Sequence, residues 1–164
     1  MSQEVERGAF ELHFRLGAFP IVVEPMFWLS MGLLGAMGRP PDARYVLVFI
    51  AIAFFAVLVH ELGHAVAARI FGATSVIRLH GFGGVTLSDR ALGRWQNVLM
   101  SLAGPVAGFL LGSAVMLLEH LQPPETRLAA FFVNAAKFTT FGWGILNLIP
   151  VLPLDGSHVL LGLF

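Results

Sequence analysis

Three ionisable side chains sit within five residues of each other in "LVHELGHAVAARIFG", residues 58–72: His60, Glu61 and His64. Directly before them run fifteen residues without a charge, "YVLVFIAIAFFAVLV", Tyr45 to Val59. If that run is a helix, positions i and i+4 lie one above the other on the same face. His60 and His64 can then both reach one metal ion, while Glu61 can contact a water on it. H-E-x-x-H is the spacing of zinc peptidases, in which two imidazoles bind zinc and the carboxylate serves as general base. Zinc with an open coordination position lowers the pKa of its water to about 7. A five-residue pattern also arises by chance. In lipid the chance reading is weaker, because an ionisable residue at the bilayer centre costs about 2.5 to 3.5 kcal/mol on insertion scales.

Catalytic zinc usually has three protein ligands and a water. The chain has no cysteine, so thiolate sites and disulfides are excluded, and the third ligand must be His, Asp or Glu. The candidates are His13, His80, His120, His158, Glu24 and Asp155. His13 lies in a strand-like tail and His120 at the end of an apolar segment, and both read more simply as interfacial histidines. Glu24 beside Pro25 reads as interfacial, and His80 beside a turn as solvated or substrate-facing. His158 is close to Asp155 and remains an alternative. Asp155 stands out because it ends "NLIPVLPLDG", residues 147–156. Two prolines there predict a stiff extended stretch after a helix, and Gly156 a sharp turn. Non-helical backbone at membrane depth is tolerated only where it is buried in protein or lines a watery cavity.

The elements that must position these groups are set by periodicity. Residues 8–24 form a strand region: "FELHFRL" alternates apolar and polar, and "FPIVV" continues extended. Helices are expected at about 25–38, 45–71, 95–118 and 129–149. The first opens on Pro25, suited to a first helical turn, and is short against the ~20 residues a span needs. The third contains Pro105, expected to bend it, and small residues that permit close packing in lipid. The fourth contains Lys137, expected to snorkel or to face a polar interior. Between the second and third helices, two alternating runs flank "GFGG", a β-hairpin at about 75–89. The expected fold is a single domain over residues 1–164. It is a polytopic α-helical membrane protein with about three core transmembrane helices, a shorter N-terminal one, and a small membrane-associated β-sheet.

Composition agrees with this reading. The 164 residues are 57% hydrophobic and 12% charged, with mean hydropathy +0.80, against about 25% charged in a soluble domain. Ten basic and ten acidic residues give no support to nucleic-acid binding. The opening "MSQEVERGAFELHF" lacks the basic start and apolar centre of a signal peptide. Arg7, Arg15, Arg69, Arg78, Arg90 and Arg94 fall on the side of the tail and hairpin, and Arg39, Arg44 and Arg127 on the other. The positive-inside rule places tail, hairpin and site toward the cytoplasm.

"HELGH", "GFGG", "AGP" and "NLIPVLPLDG", in this order and on these elements, resemble the site-2 protease family of intramembrane zinc metalloproteases over about residues 20–160. The resemblance implies one zinc per chain on His60, His64 and Asp155, with Glu61 as catalytic acid/base. It further implies that Asn147 holds the substrate or stabilises the oxyanion, and that the substrate is a transmembrane segment of another protein in the bilayer. An unwound substrate strand needs hydrogen-bond partners, which sheet-edge addition supplies. Gly83, Gly84 and Val85 are the candidate substrate-binding positions. Where many members read A-G-P-x-x-N, this chain has Gly108 at the last position, so a polar contact in the core is missing or supplied elsewhere. PDZ and CBS domains are absent from the sequence, and members usually continue through further helices beyond "GSHVLLGLF". The rival reading is a proteolytically inactive scaffold or escort of the same fold. A metal transporter is a second rival, but it would spread ligands along a path.

Overall fold

The computed structural model describes residues 10–37 and 42–163, with the Leu163 side chain left aside. The start of the expected strand region, the last residue of the first expected helix, Arg7 and Arg39 lie outside the described residues. The elements are β1 (Leu12–Leu16), β2 (Phe19–Val23), α1 (Pro25–Ala36), α2 (Ala43–Ile70), β3 (Ser75–His80), β4 (Gly83–Ser88), α3 (Arg94–Leu121), α4 (Arg127–Asn147) and α5 (Asp155–Leu163).

The four strands form one sheet in the order β1-β2-β3-β4. β1 and β2 are an antiparallel hairpin, with Leu16 opposite Phe19. β2 then pairs parallel to β3, Ile21 opposite Ile77 and Val23 opposite Leu79, with α1 and α2 lying between them in the chain. The alternation read in β3 has its cause here. Ile21, Val23, Ile77 and Leu79 share one face and are buried to within 1% against Phe27, Met31 and Val57 of the helices. β3 and β4 form the second hairpin, and the open end of that hairpin is clamped by Asp89. The Thr74 main-chain N–H donates to Asp89 Oδ1 at 2.9 Å and the Thr74 hydroxyl to Oδ2 at 2.8 Å, which holds the Asp89 carboxyl below its ordinary value. β4 is an edge strand.

The helices match the sequence expectation with shifted ends. α1 begins at Pro25 and, at 12 residues, is about 18 Å long, short of a bilayer core of about 30 Å. α2 and α3 have 28 residues each and are long and apolar enough to cross a membrane. α4 has 21 residues and carries Arg127 and Lys137; by the same measure of length and composition it is not among these. Lys137 does not stand alone: its ammonium donates to Glu119 of α3 at 2.7 and 3.0 Å. Leu47, Phe55, Leu110, Leu117 and Phe138 are each more than half exposed, consistent with a helix surface that faces lipid. The fifth helix departs from the sequence expectation. Its residues "DGSHVLLGL" come after two prolines that predict an extended stretch and a turn, yet they are helical.

Helix approach depends on missing side chains. A Cβ on Gly112 of α3 would fall 2.6 Å from Thr140 Oγ1 and 2.7 Å from the Phe141 ring of α4. Gly112→Leu should therefore lower stability by about 1–3 kcal/mol, the usual cost of overpacking. Gly142→Ala, whose new methyl meets only Phe138 at 3.9 Å, should not. Thermal unfolding in detergent checks the pair.

Candidate metal centre and catalytic cleft

Helical geometry brings the His60 and His64 side chains together: their Nε2 atoms are 3.2 Å apart and both residues are buried. Asp155 comes to them from 91 positions along the chain beyond His64. α4 ends at Asn147, and residues 148–154 fold back through tight local turns rather than the extended stretch expected from the prolines. Leu154 N–H donates to Val151 O, and Ser157 N–H to Leu154 O. Gly156 is needed here for a different reason from the turn anticipated. It lies inside α5, and a Cβ would strike the carbonyls of Leu148 and Ile149 at the end of α4. This packing sets Asp155 Oδ2 3.0 Å from His60 Nε2 and 3.3 Å from His64 Nε2.

The three atoms form a triangle with edges of 3.0–3.3 Å. Zinc bonds of about 2.0–2.2 Å in tetrahedral geometry put neighbouring ligand atoms about 3.3–3.6 Å apart. The donor set fits that ion in kind and, within a few tenths of an ångström, in spacing. The imidazole of His64 is oriented for the same role. Its Nδ1 donates to Met100 O of α3 at 2.7 Å, which leaves the Nε2 lone pair directed at Asp155 and His60. That bond requires close helix approach: a Cβ at Gly104, in the "AGP" stretch, would occupy the position of the His64 ring.

His60 lacks the equivalent support. Its Nδ1 is buried and has no hydrogen-bond partner among the described residues. A Cβ on Gly108 would sit 3.9 Å from that nitrogen and 3.4 Å from Thr140 O. Gly108 is the position where many members of the resembled family carry Asn, so the polar contact missing from the sequence corresponds to an unsatisfied nitrogen in the core.

Glu61 borders the triangle, and its carboxylate can be grouped with His60 and His64 within 4.8 Å. The tighter set is the one with Asp155, and the Glu61 carboxylate is otherwise engaged. The Thr86 hydroxyl of β4 lies 2.8 Å from its Oε2 and 3.0 Å from its main-chain oxygen. A cleft of about 570 Å³ opens over this cluster between β4, the start of α3 and α5. Gly84, Val85, Asn147 and His158 line it. Asn147 Nδ2 donates to Trp143 O of its own helix at 3.0 Å. Gly83 lies at the start of β4 near Trp143. The space that Gly84 leaves is filled by Glu61: a Cβ there would fall 2.7 Å from Glu61 Cγ and 2.9 Å from Oε1. His13 and Glu24 are remote, His13 hydrogen-bonded to Glu11 and Glu24 in an ion pair with Arg78. His80 and His120 lie outside the cleft. Sequence reasoning missed Thr86. The signal was its spacing of two from Gly84, which puts both on one face of the strand.

The Peptidase M50B-like family model matches residues 23–162. The chain belongs to that family. It is 24% identical over 148 residues to a zinc metalloprotease of Methanocaldococcus jannaschii, covering 90% of this chain and 43% of the relative. It is 28% identical over 158 residues to a protein of Synechocystis sp. that carries a zinc metalloprotease name, covering 88% and 41%. The chain thus spans less than half the length of these curated relatives. The solved structure of a site-2 protease from Methanocaldococcus jannaschii shares the fold, with a TM-score of 0.69 over 92% of this chain and 70% of that one at 23% identity.

If the triangle holds zinc, removing one of its three residues should abolish tight zinc binding. Asp155→Ala should weaken it by more than the about 10- to 100-fold typical of losing an outer partner, with helix content unchanged. Metal analysis and competition with a zinc chelator measure this, and stoichiometric tight zinc in the variant would exclude Asp155 as a ligand.

Proposed function

We propose that this chain is the core of an intramembrane zinc endopeptidase that hydrolyses peptide bonds in or near transmembrane segments of other membrane proteins. The observation that carries the reading is the triangle of His60, His64 and Asp155 with Glu61 beside it, buried among apolar helices yet open to a cleft under an edge strand. One zinc per chain would be held by His60, His64 and Asp155. Zinc, when bound there, supplies Lewis acidity toward a water and a peptide carbonyl.

The remaining work falls to side chains of this protein. Glu61 takes the proton of the attacking water and returns one to the leaving nitrogen; its position beside both imidazoles suits the role. Asn147 lines the same cleft with one amide hydrogen given to Trp143 O, which leaves the other for the substrate or its oxyanion. Gly83, Gly84 and Val85 belong to the edge strand. A substrate helix must unwind before cleavage, and its freed N–H and C=O groups cost several kcal/mol each in lipid unless they are paired. Adding the unwound segment to β4 pairs them. The arginine distribution supports a cytoplasmic side for the hairpin and site.

Two experiments test this reading. Glu61→Gln keeps shape and ligands and removes the base. It should fold and retain zinc, yet cleave a model transmembrane peptide at least about a hundredfold more slowly. Near-normal cleavage would leave the scaffold reading in front. Val85→Pro removes one strand N–H and should slow cleavage with zinc binding unchanged if that N–H faces the substrate. Full activity in proline variants at each position from 83 to 87 would remove the strand-addition step.

A further inference from the structure

β4 has two duties that meet at one hydroxyl. Its outer edge is the surface proposed above for the substrate. Its inner face, where Gly84 and Thr86 both point by the period of two, lies directly on Glu61. Gly84 makes the room and Thr86 makes the contact. The Glu61 side chain passes so close under Gly84 that a single added methyl would overlap its Cγ, Cδ and Oε1. The carboxylate is then met by the Thr86 hydroxyl, 2.8 Å from Oε2, and the same hydroxyl is 3.0 Å from the Glu61 main-chain oxygen. The hydroxyl has one hydrogen to give, and donated to the nearer Oε2 it ties the carboxylate to the strand. A glutamate has three side-chain torsions and would otherwise exchange among several staggered rotamers.

We propose that Thr86 is a positioning residue for the reaction. Its hydroxyl holds the Glu61 carboxylate in one rotamer over the His60–His64–Asp155 triangle, and couples that rotamer to the position of the strand on which the substrate docks. The inference rests on the proteolytic reading above. Thr86 touches neither the ligand atoms nor, by this assignment, the scissile bond. Its effect is exerted through Glu61 alone. A substrate strand that pairs correctly with β4 leaves Thr86 seated and Glu61 aimed, whereas a displaced β4 carries the hydroxyl away from the carboxylate.

The test compares Thr86→Val with Thr86→Ser in the full chain, using a model transmembrane peptide as substrate. Valine keeps the shape and the strand preference and removes only the hydroxyl. Thr86→Val should lower kcat by about tenfold or more, with KM and zinc content little changed and the protein still folded at the assay temperature although its unfolding midpoint falls, since a hydrogen bond to a charged group is lost. Thr86→Ser should restore most of the rate. Adding Thr86→Val to Glu61→Gln should lower the residual rate no further. Unchanged kcat in Thr86→Val, a serine variant as slow as the valine one, or an additive loss in the double variant would each overturn the proposal. Its failure is separable from that of the protease reading. If Glu61→Gln is inactive while Thr86→Val is fully active, only the positioning role falls; if Glu61→Gln cleaves normally, the mechanism itself falls.

Discussion

The structure depends on a carboxylate meeting two imidazoles inside an apolar helix bundle. Asp155 Oδ2 lies within 3.3 Å of both His60 Nε2 and His64 Nε2, with both histidine side chains about 95% buried. Isolated polar groups in such surroundings are costly, and a charge more so, unless each is paired. No single element can bring these groups together. α2 supplies the two histidines by its own pitch, but the third group has to be carried in from the far end of the chain. The turns after α4, the packing of Gly156 on the carbonyls of Leu148 and Ile149, and the short α5 together accomplish that. Arg94 adds a second restraint, donating from Nε to Gly162 O at 2.6 Å and so tying the C-terminal part of α5 back to the start of α3.

The same demand explains the small residues on the helices. In lipid there is little hydrophobic drive between helices, and association relies on close packing and interhelical hydrogen bonds. Gly104 illustrates both, since only an absent side chain lets the His64 ring come near enough for Nδ1 to reach Met100 O. Farther along the same helices, the Lys137–Glu119 pair joins α3 to α4 through charges that would be expensive if left single. One histidine is fully oriented by a neighbouring helix, while His60 Nδ1 has no such support among the described residues. The two histidines are therefore unequally braced, and His60 is held chiefly by its helix and by Asp155.

The features legible in the sequence were those that depend on local spacing. The i, i+4 pair is fixed by helix pitch, so His60 and His64 could be placed together without a structure. Period-two runs identified β1, β3 and β4, and β2 was legible as the extended run that continues β1; in β3 the alternation follows from Ile77 and Leu79 turning one face to the helices. The placement of Asp155 drew on residue type and on resemblance to a family, and the folded geometry brings it to the pair. Three things were not legible. The parallel pairing of β2 with β3 joins segments more than fifty residues apart. The α5 helix hides behind two prolines, which signal a break in α4 but carry no information about the conformation of the residues after it. The partner of Lys137 is Glu119, on another helix. Partners remote in sequence decided each case.

Gly84 shows how far a residue's meaning can shift once those remote partners are known. Read from the hairpin alone, a glycine there admits a substrate backbone from outside. In the folded chain the vacated volume is on the inner face and belongs to Glu61. Both readings concern close approach, but they constrain opposite sides of the strand. The inner one is the stronger constraint, because any side chain at position 84 would have to displace a buried carboxylate that Thr86 already holds. β4 is therefore no passive ledge. Its inner face is part of the proposed catalytic centre, so whatever pairs with its outer edge is registered, one strand-width away, against the residue assigned to move the protons.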